Sequence, residues 1–258
     1  MKVTILGCGS APGVPSVSGG WGKCDPNNPK NRRRRASILV ESDGVQILVD
    51  TSPDLREQLI DTGVKHLDAV LFTHAHADHI HGVDELREIN RAMKGVALPA
   101  YANAATLGIL ETRFSYVFEG IPPGQPIFRP WLVPNVIDEV QPFTVGGITI
   151  TPFVQDHGFS TTTGFRFGDI VYSTDVLELS DAAKNVIRGA KVWIVGALSD
   201  VPLPTHAHLE KALAWIAELK PHRAIITHMG NALDYERLIT HVLPVGVTPA
   251  FDGMVIEA

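Results

Sequence analysis

Residues 73–79 read Thr73-His74-Ala75-His76-Ala77-Asp78-His79, three imidazoles and one carboxylate within seven positions. They follow a short apolar run at 67–72 whose residue types fit a buried strand. A loop leaving a strand end can aim several side chains at one point. Neutral imidazole and carboxylate are donors that suit zinc and neighbouring divalent transition metals, and this spacing suits two adjacent ions better than one. A lone histidine is usually a surface or a satisfied core residue. A string this dense has few structural uses.

Working outward, three more candidates occupy the same kind of position. His157 follows a strand expected at 148–154, Asp175 one at 170–173, and His228 one at 224–227. Strand ends along one edge can converge on a cleft, so the repeated placement is itself informative. His66, His81, His222 and His241 fall outside this pattern and are expected at the surface or behind a ligand.

The remaining pattern supplies the scaffold. Strands are expected at 3–6, 36–41 and 45–50, the last two joined by an Asp43-Gly44 hairpin signal. Ser52 can start a short helix with Leu55, Leu59 and Ile60 on one face, and 85–93 has helical spacing. A brief strand at 97–101, a helix over 104–118 and a Pro- and aromatic-rich stretch to 134 read as an inserted cap at about 94–136. Its Tyr116, Phe118, Phe128 and Trp131 serve either core packing or stacking on a ligand. Further strands are expected at 164–167 and 192–195, with helices at 180–188, 207–219 and 234–243. Strands followed by helices, twice over, imply an α/β chain in which two sheets pack face to face with helices outside. That is an αββα sandwich forming one domain over 1–258.

A chain of 258 residues fits a single large α/β domain, and 45% hydrophobic with 19% charged residues excludes a disordered or low-complexity chain. Lys plus Arg number 22 against 28 Asp plus Glu, and a net charge of −6 argues against general nucleic-acid binding. Two cysteines, Cys8 and Cys24, cannot staple a chain of this size. No apolar run approaches the roughly 18 residues of a membrane span, and the start lacks the features of a signal peptide. The expectation is a cytoplasmic protein without membrane contact.

The histidine-aspartate string with its distant His, Asp and His resembles the metal-binding motif of the metallo-β-lactamase superfamily, over nearly the whole chain. The resemblance implies the αββα fold. It also implies one metal held by His74, His76 and His157, a second held by Asp78, His79 and His228, and Asp175 bridging both. An aspartate at that bridging position resembles the phosphodiester hydrolases of the superfamily. Within it, the glycine-rich start at 7–15, the closing Phe-Asp-Gly-Met at 251–254 and His206 resemble the cyclic phosphodiesterases of the bacterial phosphonate-degradation (carbon-phosphorus lyase) pathway. Those relatives carry a Cys-rich stretch that holds a structural zinc. This chain keeps only Cys24 after Trp21, so that zinc is not expected here.

The implied chemistry is attack on a small cyclic or nucleotide-like phosphodiester by a hydroxide held between two zinc or manganese ions, roughly 3.5–4 Å apart. Two dications outweigh Asp78, Asp175 and hydroxide, so the site attracts an anion despite the acidic chain. By the resemblance His206 assists at the phosphate, as general acid or as stabiliser of developing charge, with His208 as its rival. Among residues 32–35, all arginine, one or two can face the cleft, Arg35 being the candidate, since alternate positions of an extended segment point to opposite sides. Asp84 and Arg87 are expected to pair with each other rather than to orient a ligand, the alternative use of that helix face, and Asp252 to serve a turn. Three other functions share the motif: tRNA 3′-processing ribonuclease, thioester hydrolase, and the non-hydrolytic role of proteins of pyrroloquinoline-quinone biosynthesis. Homodimers are common among the look-alikes.

Overall fold

Side chains of the early strands serve two interiors in alternation. In β2 (Ser37–Ser42), Ile38 and Val40 join the core between two sheets, whereas Leu39 joins a separate core beneath the outer helices. This is the period-two pattern of a strand buried on both faces. The computed structural model describes residues 1–122, 124 and 128–258.

The first half forms β1 (Lys2–Gly7), β2, β3 (Val45–Val49), β4 (Ala69–Leu71), β5 (Leu98–Ala102) and β6 (Leu132–Val136). The second half forms β7 (Phe143–Val145), β8 (Ile148–Asp156), β9 (Thr161–Phe167), β10 (Ile170–Ser173), β11 (Val192–Gly196), β12 (Arg223–Thr227) and β13 (Val247–Pro249). β14 (Val255–Glu257) then returns to pair with β1. The first sheet runs β14-β1-β2-β3-β4-β5-β6 and the second β13-β12-β11-β10-β9-β8-β7. Each sheet has an antiparallel part and a parallel part, the latter running from β3 to β6 and from β10 to β13. The β2–β3 turn places Asp43 and Gly44 at φ 50° and 84°, the left-handed pair that a tight hairpin requires.

Helices α1 (Leu55–Thr62), α2 (Ala77–Ile80), α3 (Leu86–Ala92), α4 (Ala104–Arg113) and α5 (Ser115–Phe118) lie along the first sheet. α6 (Asp181–Ile187), α7 (Leu209–Leu219) and α8 (Tyr235–Arg237) lie along the second. α7 shows the governing pattern: Leu209, Ala212, Trp215, Ile216 and Leu219 form one buried stripe. The architecture is therefore the αββα sandwich. No helix among the described residues is long and apolar enough to cross a membrane.

Several expectations change in detail. The single helix over 104–118 breaks at Phe114, whose φ of −128° is not helical. The stretch read as a cap at 94–136 contributes β5 and β6 to the first sheet, with Leu98, Ala100 and Leu132 fully buried beneath the helices. Residues 123 and 125–127 of that stretch lie outside the described residues. The helix over 234–243 is a single turn, α8, continued by a π-turn at Leu238–Val242. α1 turns Ile60 to solvent, so its buried face is Leu55, Gln58 and Leu59. Asp84 accepts a hydrogen bond from Tyr116 Oη at 2.5 Å, and no Asp84–Arg87 pair forms among the described residues. Asp252 is a half-buried carboxylate that accepts from the backbone of Cys8 and of Arg34, which is more than a turn residue's task.

Candidate metal centre

β4, β8, β10 and β12 end along one edge, and the expected ligands sit just past those ends. His74 lies three residues beyond β4. Asp78 and His79 are fixed in the short helix α2, and His157, Asp175 and His228 follow β8, β10 and β12. All seven come together in two groups that share Asp175: His74, His76, His157 and Asp175, and Asp78, His79, Asp175 and His228. Within each group the donor atoms lie within 4.8 Å of one another. The shared carboxylate divides its oxygens. Asp175 Oδ2 faces His74 Nε2 (3.8 Å) and His157 Nε2 (3.9 Å), while Oδ1 faces His79 Nε2 and His228 Nε2, both at 3.2 Å.

Neighbouring groups decide which nitrogen of three rings carries the proton. His157 Nδ1 lies 2.7 Å from the Thr205 carbonyl, which can only accept, so Nδ1 donates. His79 Nδ1 donates to Asp50 Oδ2 at 2.7 Å. Thr73 Oγ1 donates to the same oxygen at 2.8 Å and accepts from His74 Nδ1 at 3.0 Å. In the neutral form of all three rings Nε2 is left with a lone pair pointing inward. His74 Nε2 and His79 Nε2 are buried without a hydrogen-bond partner, although carboxylate oxygens of Asp78 and Asp175 approach His79 Nε2 to 3.2 Å. Lone pairs and carboxylate oxygens converging without protons between them is the arrangement a cation relieves, so the donor set fits divalent metal.

The site also concentrates strain and charge. Among the described residues six other than glycine have positive φ, and three of them are Asp50 (64°), Asp175 (41°) and His228 (53°). Left-handed backbone at such residues costs energy and persists only where the surroundings impose it. Burial opposes the charge on Asp175, yet His228, His79 and the contact with His206 hold its carboxyl well below the usual range. Burial and the neighbouring His79 push His74 well below an ordinary imidazole. Burial acts the same way on His79, where Asp175, Asp50 and Asp78 outweigh it and raise the ring.

His206 stands at the mouth. Its Nε2 is 3.1 Å from Asp175 Oδ2, its Nδ1 is 2.8 Å from Thr205 Oγ1, and its ring stacks on His228 at 5.2 Å between centroids. It is 18% exposed where Asp175 is 2%, so it can meet a ligand that Asp175 cannot. His208 takes the N-cap position of α7 without capping it and does not join either ligand group.

The four arginines at 32–35 have four fates. Arg32 lies over Trp21, and Arg33 is buried and donates to the carbonyls of Gly230 and Leu233. Arg34 pairs with Asp61, and Arg35 pairs with Asp54 at 3.1 Å. Asp50 and Thr205 were not singled out from sequence. Asp50 follows β3 as His157 follows β8, so the strand-end rule would have found it.

The beta-lactamase superfamily domain model matches residues 46–229, which contain all seven residues of the two groups. A solved diphosphatase of the PhnP family is 32% identical and superposes with a TM-score of 0.90, covering 99% of this chain and 96% of that one. An octanoyltransferase of Porphyromonas gingivalis is 29% identical over 98% of this chain and 51% of its own length. Coenzyme PQQ synthesis protein B of Xanthomonas euvesicatoria is 28% identical over 59% of this chain and 51% of its own. The chain thus spans about half the length of the curated relatives it matches. With the fold, the strand-end ligands and the matched span in agreement, the chain belongs to the metallo-β-lactamase superfamily.

Proposed function

We propose that the protein is a binuclear metal-dependent phosphodiesterase acting on a small cyclic or nucleotide-like phosphodiester. The observation that carries this reading is the divided carboxylate of Asp175, one oxygen toward each ligand group, with His206 on its exposed side. The likeness to the diphosphatase supports phosphorus as the reacting centre. His74, His76 and His157 would hold one ion, Asp78, His79 and His228 the other, and Asp175 both. The donors accept zinc or manganese.

When bound, the two ions supply Lewis acidity and a nucleophile from water at neutral pH. The chain's own part is orientation and proton handling. Asp50 and the Thr205 carbonyl keep the donor nitrogens of His79 and His157 turned inward. His206 Nε2 lies beside Asp175 Oδ2, within reach of a phosphoryl oxygen or leaving alkoxide, where a proton held on the ring is given up as the P–O bond breaks. Arg35, paired with Asp54, is a weaker candidate for contact with substrate.

The test is hydrolysis of bis(p-nitrophenyl) phosphate by zinc- or manganese-loaded protein, with p-nitrophenyl phosphate as control. Diester turnover that exceeds monoester turnover at least about tenfold is expected. Failure of the diester with both ions bound overturns the reading. The octanoyltransferase likeness favours a second reading, thioester hydrolysis, for which an octanoyl thioester in the same assay is the probe.

A further inference from the structure

The segment that carries His206 is pinned on both sides of it. The Thr205 carbonyl accepts from His157 Nδ1 at 2.7 Å, and Ala207 N donates to the carbonyl of Val176, the residue after Asp175, at 2.6 Å. These bonds set the backbone and leave the rotation of the His206 ring to be fixed. Two rings confine its plane: His228 lies parallel at 5.2 Å between centroids and 7° between planes, and His157 stands edge-on at 4.6 Å and 82°. Stacking alone accepts a half-turn of the ring, which keeps the plane but exchanges nitrogen for carbon along each edge. Hydrogen bonds decide between the two. Asp175 Oδ2 lies 3.1 Å from Nε2, but it is also the oxygen turned toward His74 and His157, whereas Thr205 Oγ1 lies 2.8 Å from Nδ1. The threonine side chain is itself held. A Cβ on Gly158 would lie 3.1 Å from Thr205 Cγ2, so the methyl rests on bare glycine backbone, and a β-branched side chain has few other rotamers.

We infer that Thr205 is the positioning residue of His206: its hydroxyl holds Nδ1, so that Nε2 faces Asp175 and the reacting phosphate. The inference rests on the phosphodiesterase reading and adds the residue that aims the proton donor. A ring carrying both protons keeps Nδ1–H on Thr205 Oγ1 while its Nε2 proton passes to the leaving oxygen. The P–O bond breaks with its electron pair on that oxygen, and the ring is left neutral. The proton matters more as the leaving oxygen becomes more basic, so the hydroxyl favours substrates with poor leaving groups. The tie to His157 is made by the Thr205 backbone and the tie to His206 by its side chain, so a substitution can cut one without the other.

The experiment compares zinc-loaded wild type, Thr205→Val, Thr205→Ser, His206→Ala and the double variant Thr205→Val/His206→Ala. Each is assayed on bis(p-nitrophenyl) phosphate and on diphenyl phosphate, whose leaving group is more basic, and its zinc affinity is measured by competition with a chelating dye. Valine keeps the shape of threonine and removes the hydroxyl. Thr205→Val is expected to lose about tenfold in kcat on the nitrophenyl diester, the scale of one hydrogen bond, and more on diphenyl phosphate. KM and zinc affinity should stay within about threefold, and Thr205→Ser should recover most of kcat. In the His206→Ala background the valine substitution should cost less than about twofold, because a residue that acts through His206 has nothing left to act on. Equal losses in both backgrounds, or weaker zinc binding by Thr205→Val, would mean that Thr205 only steadies the segment, and would overturn the inference. Long-range nitrogen–proton NMR of the zinc-loaded proteins reads the ring directly. The His206 Nδ1 signal should move in Thr205→Val, and an unmoved signal overturns the inference whatever the rates. A moved signal without turnover of either diester would leave Thr205 as the residue that sets the ring and refute the phosphodiesterase reading.

Discussion

Asp50 touches no substrate in this scheme, yet it governs His79. Its Oδ2 receives both Thr73 Oγ1 and His79 Nδ1. In Asp50→Asn an amide nitrogen at that position would confront the Nδ1 proton, so the ring would carry its proton on Nε2 and aim it at Asp78 and Asp175. Metal affinity is expected to fall about 10- to 100-fold, measured by competition with a chelating dye. His206→Ala should do the opposite: affinity unchanged within about threefold and kcat on the diester reduced about 100-fold or more. If His206→Ala also sheds metal, His206 steadies Asp175 and is not the proton donor. The contrast also explains what could be read from sequence at this scale. The seven residues that come together in the two groups were legible because imidazoles and carboxylates at that spacing have few other uses. Asp50 obeys the same strand-end rule, but its task of orienting His79 shows only in its buried partners.

At the scale of elements, the helix bearing Asp78 and His79 is held by the turn after β3. Thr51 N donates to the His79 carbonyl at 2.7 Å, and Gly82 N donates to the Thr51 carbonyl at 2.8 Å. A Cβ on Gly82 would lie 1.9 Å from the Ser52 carbonyl oxygen and 2.9 Å from Leu55 Cβ. Neither neighbour is a flexible side-chain end, so Gly82→Ala must push α2 off the turn. We expect a loss of about 3 kcal/mol in urea unfolding, near the upper end for overpacking, together with weaker metal retention. A variant as stable as wild type would show that α2 is not held here. The same segment shows why elements were less legible than ligands. Residues 104–118 have helical spacing, and no local residue demands a break. The break comes from docking Phe114 and Tyr116 on His81 and Asp84, partners thirty residues distant that no local window contains. Likewise, the variety of prolines and aromatics in 94–136 suggested a separate cap, but the short strands at its two ends pair into the sheet.

At the scale of the whole molecule, Asp252 joins the two ends of the chain to the arginine segment. Its Oδ1 accepts from Cys8 N at 3.1 Å and its Oδ2 from Arg34 N at 2.7 Å. Burial raises its carboxyl to about 6, with the bonds from Arg34 and Cys8 and the charge of Arg34 only partly offsetting the cost. An unfolded aspartate titrates near 3.9. Between those values the folded chain keeps a proton that the unfolded chain has released, so stability from this group is full below about pH 4 and declines as pH rises to about 6. Two units correspond to about 3 kcal/mol. Asp252→Asn removes the titration. It also puts an amide nitrogen against one backbone N–H, a penalty that does not vary with pH. The stability of Asp252→Asn relative to wild type should therefore rise by about 2 kcal/mol between pH 4 and pH 7, whatever its absolute value at either end. Paired urea titrations at the two pH values measure that difference, and a flat difference would mean that Asp252 is already ionised in the fold at pH 4. Because every other titrating group is common to the two proteins, the metal-site histidines cancel from the comparison as long as both are measured without metal.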